Sequence, residues 1–325
     1  MNGDGMRLRT ALAPLVFAGV ASAHPGEPPA PHDLWSAWNL SPFTLPTLLL
    51  VGFLYWRGYT RLRRAGARPG LRNRAVVRPW QALCFLWGLL ALHVALVSPL
   101  DALGSSLLSA HMAQHTILLV VAPPLLVLAS PGYVLPWAFP LGTRRRVAGW
   151  WHGRDVGRLT GPISRALFTP LAASLLYAAV VWVWHAPGLY QAALTVETVH
   201  VLEHLTFLGG AYLFWWLLLA PLGRWRTHHG VGVATLFFTS VQGSALGALM
   251  AFSPTVWYPA YEVTAPSWGT TALADQQLAG LIMWMPVGTV YVLLACAFLW
   301  RWLRSADLAE SSAPPHPAQA RLGGG

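Results

Sequence analysis

The sequence predicts an all-α, polytopic membrane helix bundle with about seven transmembrane helices after an N-terminal signal peptide. Three observations carry that prediction. The chain is 55% hydrophobic and only 10% charged over 325 residues, with a mean hydropathy of +0.49, which is more apolar surface than a water-soluble fold hides. About seven stretches approach the roughly 20 apolar residues that a hydrocarbon core of about 30 Å requires. All 21 basic residues are arginines, and beyond the N-terminal leader they collect at alternate connections between those stretches.

In chain order, the leader "MRLRTALAPLVFAGVASAHP" has Arg7 and Arg9, a short apolar run and then Ala21-Ser22-Ala23. That is the charged, greasy, small-x-small succession of a signal peptide over 1–23, with an uncleaved extra span as the other reading. Cleavage after Ala23 places His24, with its free amine and ring nitrogen, at the mature terminus, near His32. A short extracytoplasmic segment follows over 24–41. The transmembrane domain, 42–304, is expected to hold spans at 42–56, 80–99, 107–128, 167–184, 199–219, 231–252 and 278–302. The tail over 305–325 is rich in Pro, Ala and Gly and reads as a disordered cytoplasmic extension.

Orientation follows from the arginines. Arg61, Arg63, Arg64, Arg68, Arg72, Arg74 and Arg78 separate the first two spans, and Arg144, Arg145, Arg146, Arg154, Arg158 and Arg165 separate the third from the fourth. Arg224 and Arg226 follow the fifth, and Arg301 and Arg304 close the seventh. By the positive-inside rule these connections are cytoplasmic, while those carrying Asp33, Asp101, Glu197, Glu262 and Asp275 face outward. The net charge of +10 is thus a topology signal and points to a lipid bilayer, with no nucleic acid partner. The expected orientation has the mature N-terminus outside and the C-terminus in the cytoplasm.

Between the spans, "YVLPWAFPLGTRRR" suits a segment lying at the inner interface. Gly243 and Gly247 form a GxxxG that permits close helix packing. Pro123, Pro124 and Pro286 are expected to kink their helices and free backbone carbonyls. Cys84 and Cys296 suggest neither a disulfide nor a thiolate metal site.

Two patterns within the greasy segments carry the chemistry. "HMAQH" places His111 and His115, and "HVLEH" places His200 and His204, one helical turn apart on one face, so each pair presents two nitrogens to one point. At 1.5 Å per residue, both pairs lie in the first turns of helices running inward, and His93, His185 and Asp275 fall in the same outer third of the membrane. Polar residues at that depth face the bundle interior and pair or bind something. A metal site of His111, His115, His200 and His204, with His185 and Met283, is the preferred reading over histidines that each bond a neighbouring helix. Imidazole suits copper, zinc, iron and nickel, and the thioethers of Met112, Met250, Met283 and Met285 bias the choice toward copper(I). Asp275, Glu203 and His93 are candidates for the surrounding shell, the two carboxylates as acceptors fixing imidazole tautomers.

The segments "SAHMAQHTILLVVAPPLLVL", "WHAPGLY", "VHVLEHLTFLGGAYLFWW" and "ADQQLAGLIMWMP" together resemble the polytopic CtaG family of cytochrome c oxidase (caa3-type) assembly factors, from about Pro42 to Arg304. The resemblance implies a seven-helix protein of a bacterial cytoplasmic membrane that handles copper for a haem-copper oxidase, a metallochaperone rather than an enzyme. Its implied partners are apo cytochrome c oxidase subunits and an extracytoplasmic copper donor. The family's recurrent histidines map onto His111, His115, His185, His200 and His204, and its acidic-glutamine motif onto Asp275 and Gln276.

Other classes stay open on the same residues. "HVLEH" also fits H-x-x-E-H, in which His200 and His204 bind zinc and Glu203 activates water, making a membrane zinc hydrolase. That reading leaves His111 and His115 unexplained. A haem carrier uses histidines as axial ligands, and a pair four apart on one helix cannot serve one haem from both sides. A metal-free assembly scaffold is the third alternative.

Overall fold

The structure is a computed structural model that describes residues 28–66, 77–151, 169–219 and 229–311. The expected signal peptide and His24, most of the arginine-rich connections and the tail beyond Ser311 lie outside the described residues. Within them the protein is all-α, with no strand.

Helix α1, Thr44–Gly66, begins apolar and ends in Arg57, Arg61, Arg63 and Arg64. Helix α2, Pro79–Leu96, starts with a proline, whose missing N–H costs nothing in a first turn. The short α3, Pro99–Leu103, is capped by the Ser98 side chain accepting from the Leu100 N–H. Next come α4, Leu108–Thr116, a π turn over Ile117–Val121 and α5, Ala122–Leu128. Three smaller pieces follow: α6, Pro131–Val134, a 3-10 turn, Leu135–Ala138, and α7, Leu141–Trp151. The rest of the bundle comprises α8, Pro170–Trp184, α9, Pro187–Thr195, α10, Glu197–Leu219, and α11, His229–Ala251. A single turn, α12, Tyr261–Thr264, precedes α13, Ala272–Ser311.

Among the described residues, five continuous segments are long and apolar enough to cross a membrane, and α8 with α9 makes a sixth if that pair, bent by 72°, is one span. The first expected span, 42–56, in α1, falls short because its apolar run stops at Trp56, before four arginines enter the next turns. Helix α13 runs through Pro286 as one helix and continues to Ser311, past the expected boundary at 304. Exposed Leu49, Phe53, Trp87, Phe237, Leu293 and Trp300 give the bundle the apolar exterior that lipid covers. This is a multi-pass membrane protein.

The main core lies between α4, α5, α8, α10, α11 and α13, around Phe207, Phe214, Trp215 and Tyr291. A smaller one packs α1 and α2 against α6, where Tyr55 and Phe85 stack with ring centroids 3.6 Å apart. In the interfacial segment, the Arg144 guanidinium covers Trp137 at 3.7 Å and Arg61 donates to the Ala138 carbonyl at 2.9 Å. Helices α11 and α13 touch at glycines. A Cβ on Gly280 would stand 2.6 Å from the Gly247 carbonyl oxygen and 2.5 Å from the Ala251 nitrogen. Gly247 of the expected GxxxG therefore makes the close approach, with Gly280 as its partner, whereas a Cβ on Gly243 would meet nothing within 4 Å. Backbone cannot yield as a side chain can, so Gly280→Ala should destabilise the protein by about 1–3 kcal/mol. Thermal unfolding in detergent would show this as a lowered Tm, and an unchanged Tm would contradict the packing.

Candidate metal centre

The prolines of "VVAPPLL" set the path of the histidine-bearing helix. Pro123 has no N–H for the carbonyl four residues back, Leu119, and the chain widens into the π turn, where the Ala122 N–H reaches the Ile117 carbonyl. The carbonyl of Leu119 instead accepts from the indole Nε1 of buried Trp215 on α10, at 2.8 Å. The proline pair thus ties the two histidine-bearing helices together. At the other end of α4, the Asp275 carboxylate accepts from the Leu108 N–H at 2.6 Å and from the Ser109 hydroxyl, capping the helix and anchoring it to α13. On another face of α4, Gln114 Nε2 donates to the Ala95 carbonyl at 2.7 Å and to Asp101 Oδ1 at 2.6 Å. The helix is fixed in position and rotation by contacts that involve none of its imidazoles.

Both i,i+4 pairs then face each other. Ring centroids are 4.2 Å apart within His111/His115 and within His200/His204. Across the helices they are 5.6 Å for His115/His204 and 5.7 Å for His111/His200. Among the described residues, His111, His115, Glu203 and His204 each offer one donor atom, and these atoms lie within 4.8 Å of one another. Glu203, 0% exposed, places Oε2 at 3.8 Å from His111 Nε2 and Oε1 at 3.8 Å from His115 Nε2. That is too long for a hydrogen bond. Two ligands each about 2.0–2.1 Å from one metal stand about 3.3–4.1 Å apart as their angle opens from tetrahedral to linear. Among the described residues, neither oxygen of Glu203, neither nitrogen of His115, nor Nε2 of His204 has a hydrogen-bond partner. Buried polar atoms are ordinarily paired, and an ion at the common point would satisfy this group at once.

The structure arranges the other expected residues differently. Glu203, expected to support an imidazole from behind, lies inside the donor set. His200 stands beside it, its ring tilted by 58° against that of His204. Asp275 contacts no imidazole among its hydrogen bonds and serves as the cap of α4. Gln276 accepts from the Trp257 N–H at 2.6 Å and donates to the Thr255 carbonyl at 3.0 Å, holding the loop before α12. His93 keeps company with Trp38, ring centroids 6.1 Å apart, on the α2 side. Met285 is 62% exposed on the outside of α13. His185 lies at the α8–α9 bend, where Pro187 stops the helix and holds Ala186 in an extended conformation, and it faces Met112. Met283 lines a cavity with His115 and His185.

Two cavities flank the cluster. One of about 310 Å³ reaches His111 and His200 and carries Asp101 and Glu197 in its wall. The other, about 30 Å³, touches His115, His185, Met283, Gln242 and Tyr291. Tyrosines hold the surrounding loops. Tyr258 donates to the His185 carbonyl at 2.8 Å and Tyr261 to the Gly104 carbonyl at 2.9 Å. With its proton so used, Tyr261 accepts from Tyr190 at 2.9 Å. Burial pushes the phenols of Tyr258 and Tyr261 well above the ordinary tyrosine range, so both remain neutral donors at any working pH.

Comparison with known proteins adds a family. Residues 53–305 match the model of a family described as cytochrome c oxidase caa3 assembly factor. Uncharacterized proteins of Mycobacterium bovis and Mycobacterium tuberculosis are each 24% identical over 302 residues, covering 89% of this chain and 43% of theirs. One from Mycobacterium leprae is 22% identical over 290 residues, covering 86% of this chain and 41% of its own. The chain thus spans less than half the length of the curated relatives it matches. No solved structure matches.

Proposed function

The chain belongs to the family of cytochrome c oxidase caa3 assembly factors, and from that premise we propose that it carries copper to a haem-copper oxidase during assembly. The ion is held by His111, His115, His204 and Glu203, with His200 beside them. One observation carries this reading: four buried donor atoms on two helices converge within 4.8 Å, and those of Glu203, His115 and His204 have no hydrogen-bond partner. The donor set suits zinc as well as copper. The family's copper-containing client favours copper.

The cavity beside His111 and His200, with Asp101 and Glu197 in its wall, is the route by which an external donor hands over the ion, and an apo-oxidase subunit is the recipient. Helix α13 supports this orientation, because Asp275 meets the histidine-bearing turn while Arg301 and Arg304 lie toward its far end. The histidine end then faces outward and the arginine end the cytoplasm. Against the hydrolase reading, both Glu203 oxygens face histidines of another helix rather than a position left open for water.

Elemental analysis of the detergent-purified protein after copper loading, with an absorption spectrum alongside, tests the proposal. At least one copper per chain, without a haem band, is expected. Zinc in preference to copper would favour the hydrolase, a Soret band the haem carrier, and no bound metal a scaffold whose histidines only join helices.

A further inference from the structure

His185 and Met112 carry an arrangement that the four-donor cluster does not account for. His185 Nδ1 lies 2.7 Å from the Val181 carbonyl oxygen. A carbonyl only accepts, so the proton of a neutral ring sits on Nδ1, and Nε2 is left as a bare lone pair. That lone pair faces the sulfur of Met112 at 3.3 Å, and both residues are buried, at 3% and 0% exposed. Two lone-pair donors then face each other with no proton between them. A nitrogen about 2.0–2.1 Å and a sulfur about 2.3 Å from one metal stand about 3.3–3.8 Å apart at angles of 100–120°. The observed separation lies in that range.

We propose that His185 Nε2 and Met112 Sδ form a second, softer metal position, selective for a monovalent d10 ion such as copper(I) or silver(I). Thioether with imidazole is a soft donor combination that suits copper(I) and does not suit calcium or magnesium. The position adjoins the first site through His115, whose ring centroid is 6.2 Å from that of His185. His115 and His185 also share the wall of the smaller cavity, with Met283 across it. An ion leaving the imidazole–carboxylate cluster meets this position next, one side chain away. Tyr258, donating to the His185 carbonyl, and the Nδ1 bond to Val181 hold the ring in place before the ion arrives. The copper reading supplies only the identity of the ion, and the geometry supplies the position.

The test is X-ray absorption at the metal edge, with metal counting, on the full-length protein in detergent loaded anaerobically with copper(I). The wild type is expected to bind two ions and to show a sulfur neighbour at about 2.3 Å. Met112→Leu, of nearly the same volume, should bind one ion and lose the sulfur signal. His204→Ala should lose the nitrogen- and oxygen-bound ion while keeping the sulfur-bound one. Met283→Leu should keep both. A wild type with one ion bound only by nitrogen and oxygen would overturn the second position and leave the proposed function standing. Sulfur scattering that survives in Met112→Leu would overturn the assignment of Met112. No bound ion in the wild type would overturn both.

Discussion

Replacing His111 and His204 together by alanine is expected to abolish the proposed copper delivery while leaving the membrane bundle folded. Each helix loses one donor, so two of the four converging atoms disappear and only His115 and Glu203 remain of that group. Disturbing even a residue behind a metal ligand costs about 10–100-fold in affinity. Losing two ligands should therefore weaken copper binding at the imidazole–carboxylate cluster by at least about 100-fold. The fold should survive, because α4 is held by Asp275, Gln114 and the Trp215–Leu119 bond, none of which involves an imidazole. The measurement is copper content of the oxidase made in cells whose only assembly factor is the double variant. Oxidase with full copper from such cells would show that the protein assists assembly without carrying the ion. Depleted oxidase, together with normal membrane levels of the variant, would separate carriage from scaffolding.

The second large effect concerns Glu203, and its two parts run in opposite directions. Without metal, the carboxylate is buried with no hydrogen-bond donor among the described residues, and such a group costs about 1–3 kcal/mol. Glu203→Gln supplies an amide N–H that can donate to a neighbouring imidazole, so the metal-free variant should unfold at a higher temperature than the wild type. The same change removes a charged ligand and should lower copper affinity by about 10–100-fold. Raised Tm with weakened copper binding is the signature of a residue kept for its ligand. If Glu203→Gln lowers Tm and leaves affinity unchanged, the carboxylate is structural. Thermal unfolding with and without copper, run on one preparation, measures both.

The sequence by itself determined the membrane setting and the i,i+4 pairing. Spans follow from local apolarity, and two rings one turn apart on one face follow from 3.6 residues per turn, whatever surrounds the helix. The proline pair at 123 and 124 likewise announced a freed carbonyl, since the lost N–H is a property of the residue. What local geometry cannot give is rotation about the helix axis and the partner met across it. Those depend on side chains from segments about ninety residues apart packing at once, so only the tertiary structure decided that α4 and α10 turn their histidines toward each other. It also decided that Glu203 joins the donors while His200 stands aside. Asp275 shows the same limit: its depth was legible, but an acid entering at that level serves an imidazole or a helix end according to which lies nearer, and the end of α4 is what α13 meets. His185 with Met112 was beyond reach for the same reason, because the contact joins a helix bend to a face of α4 that only packing orients.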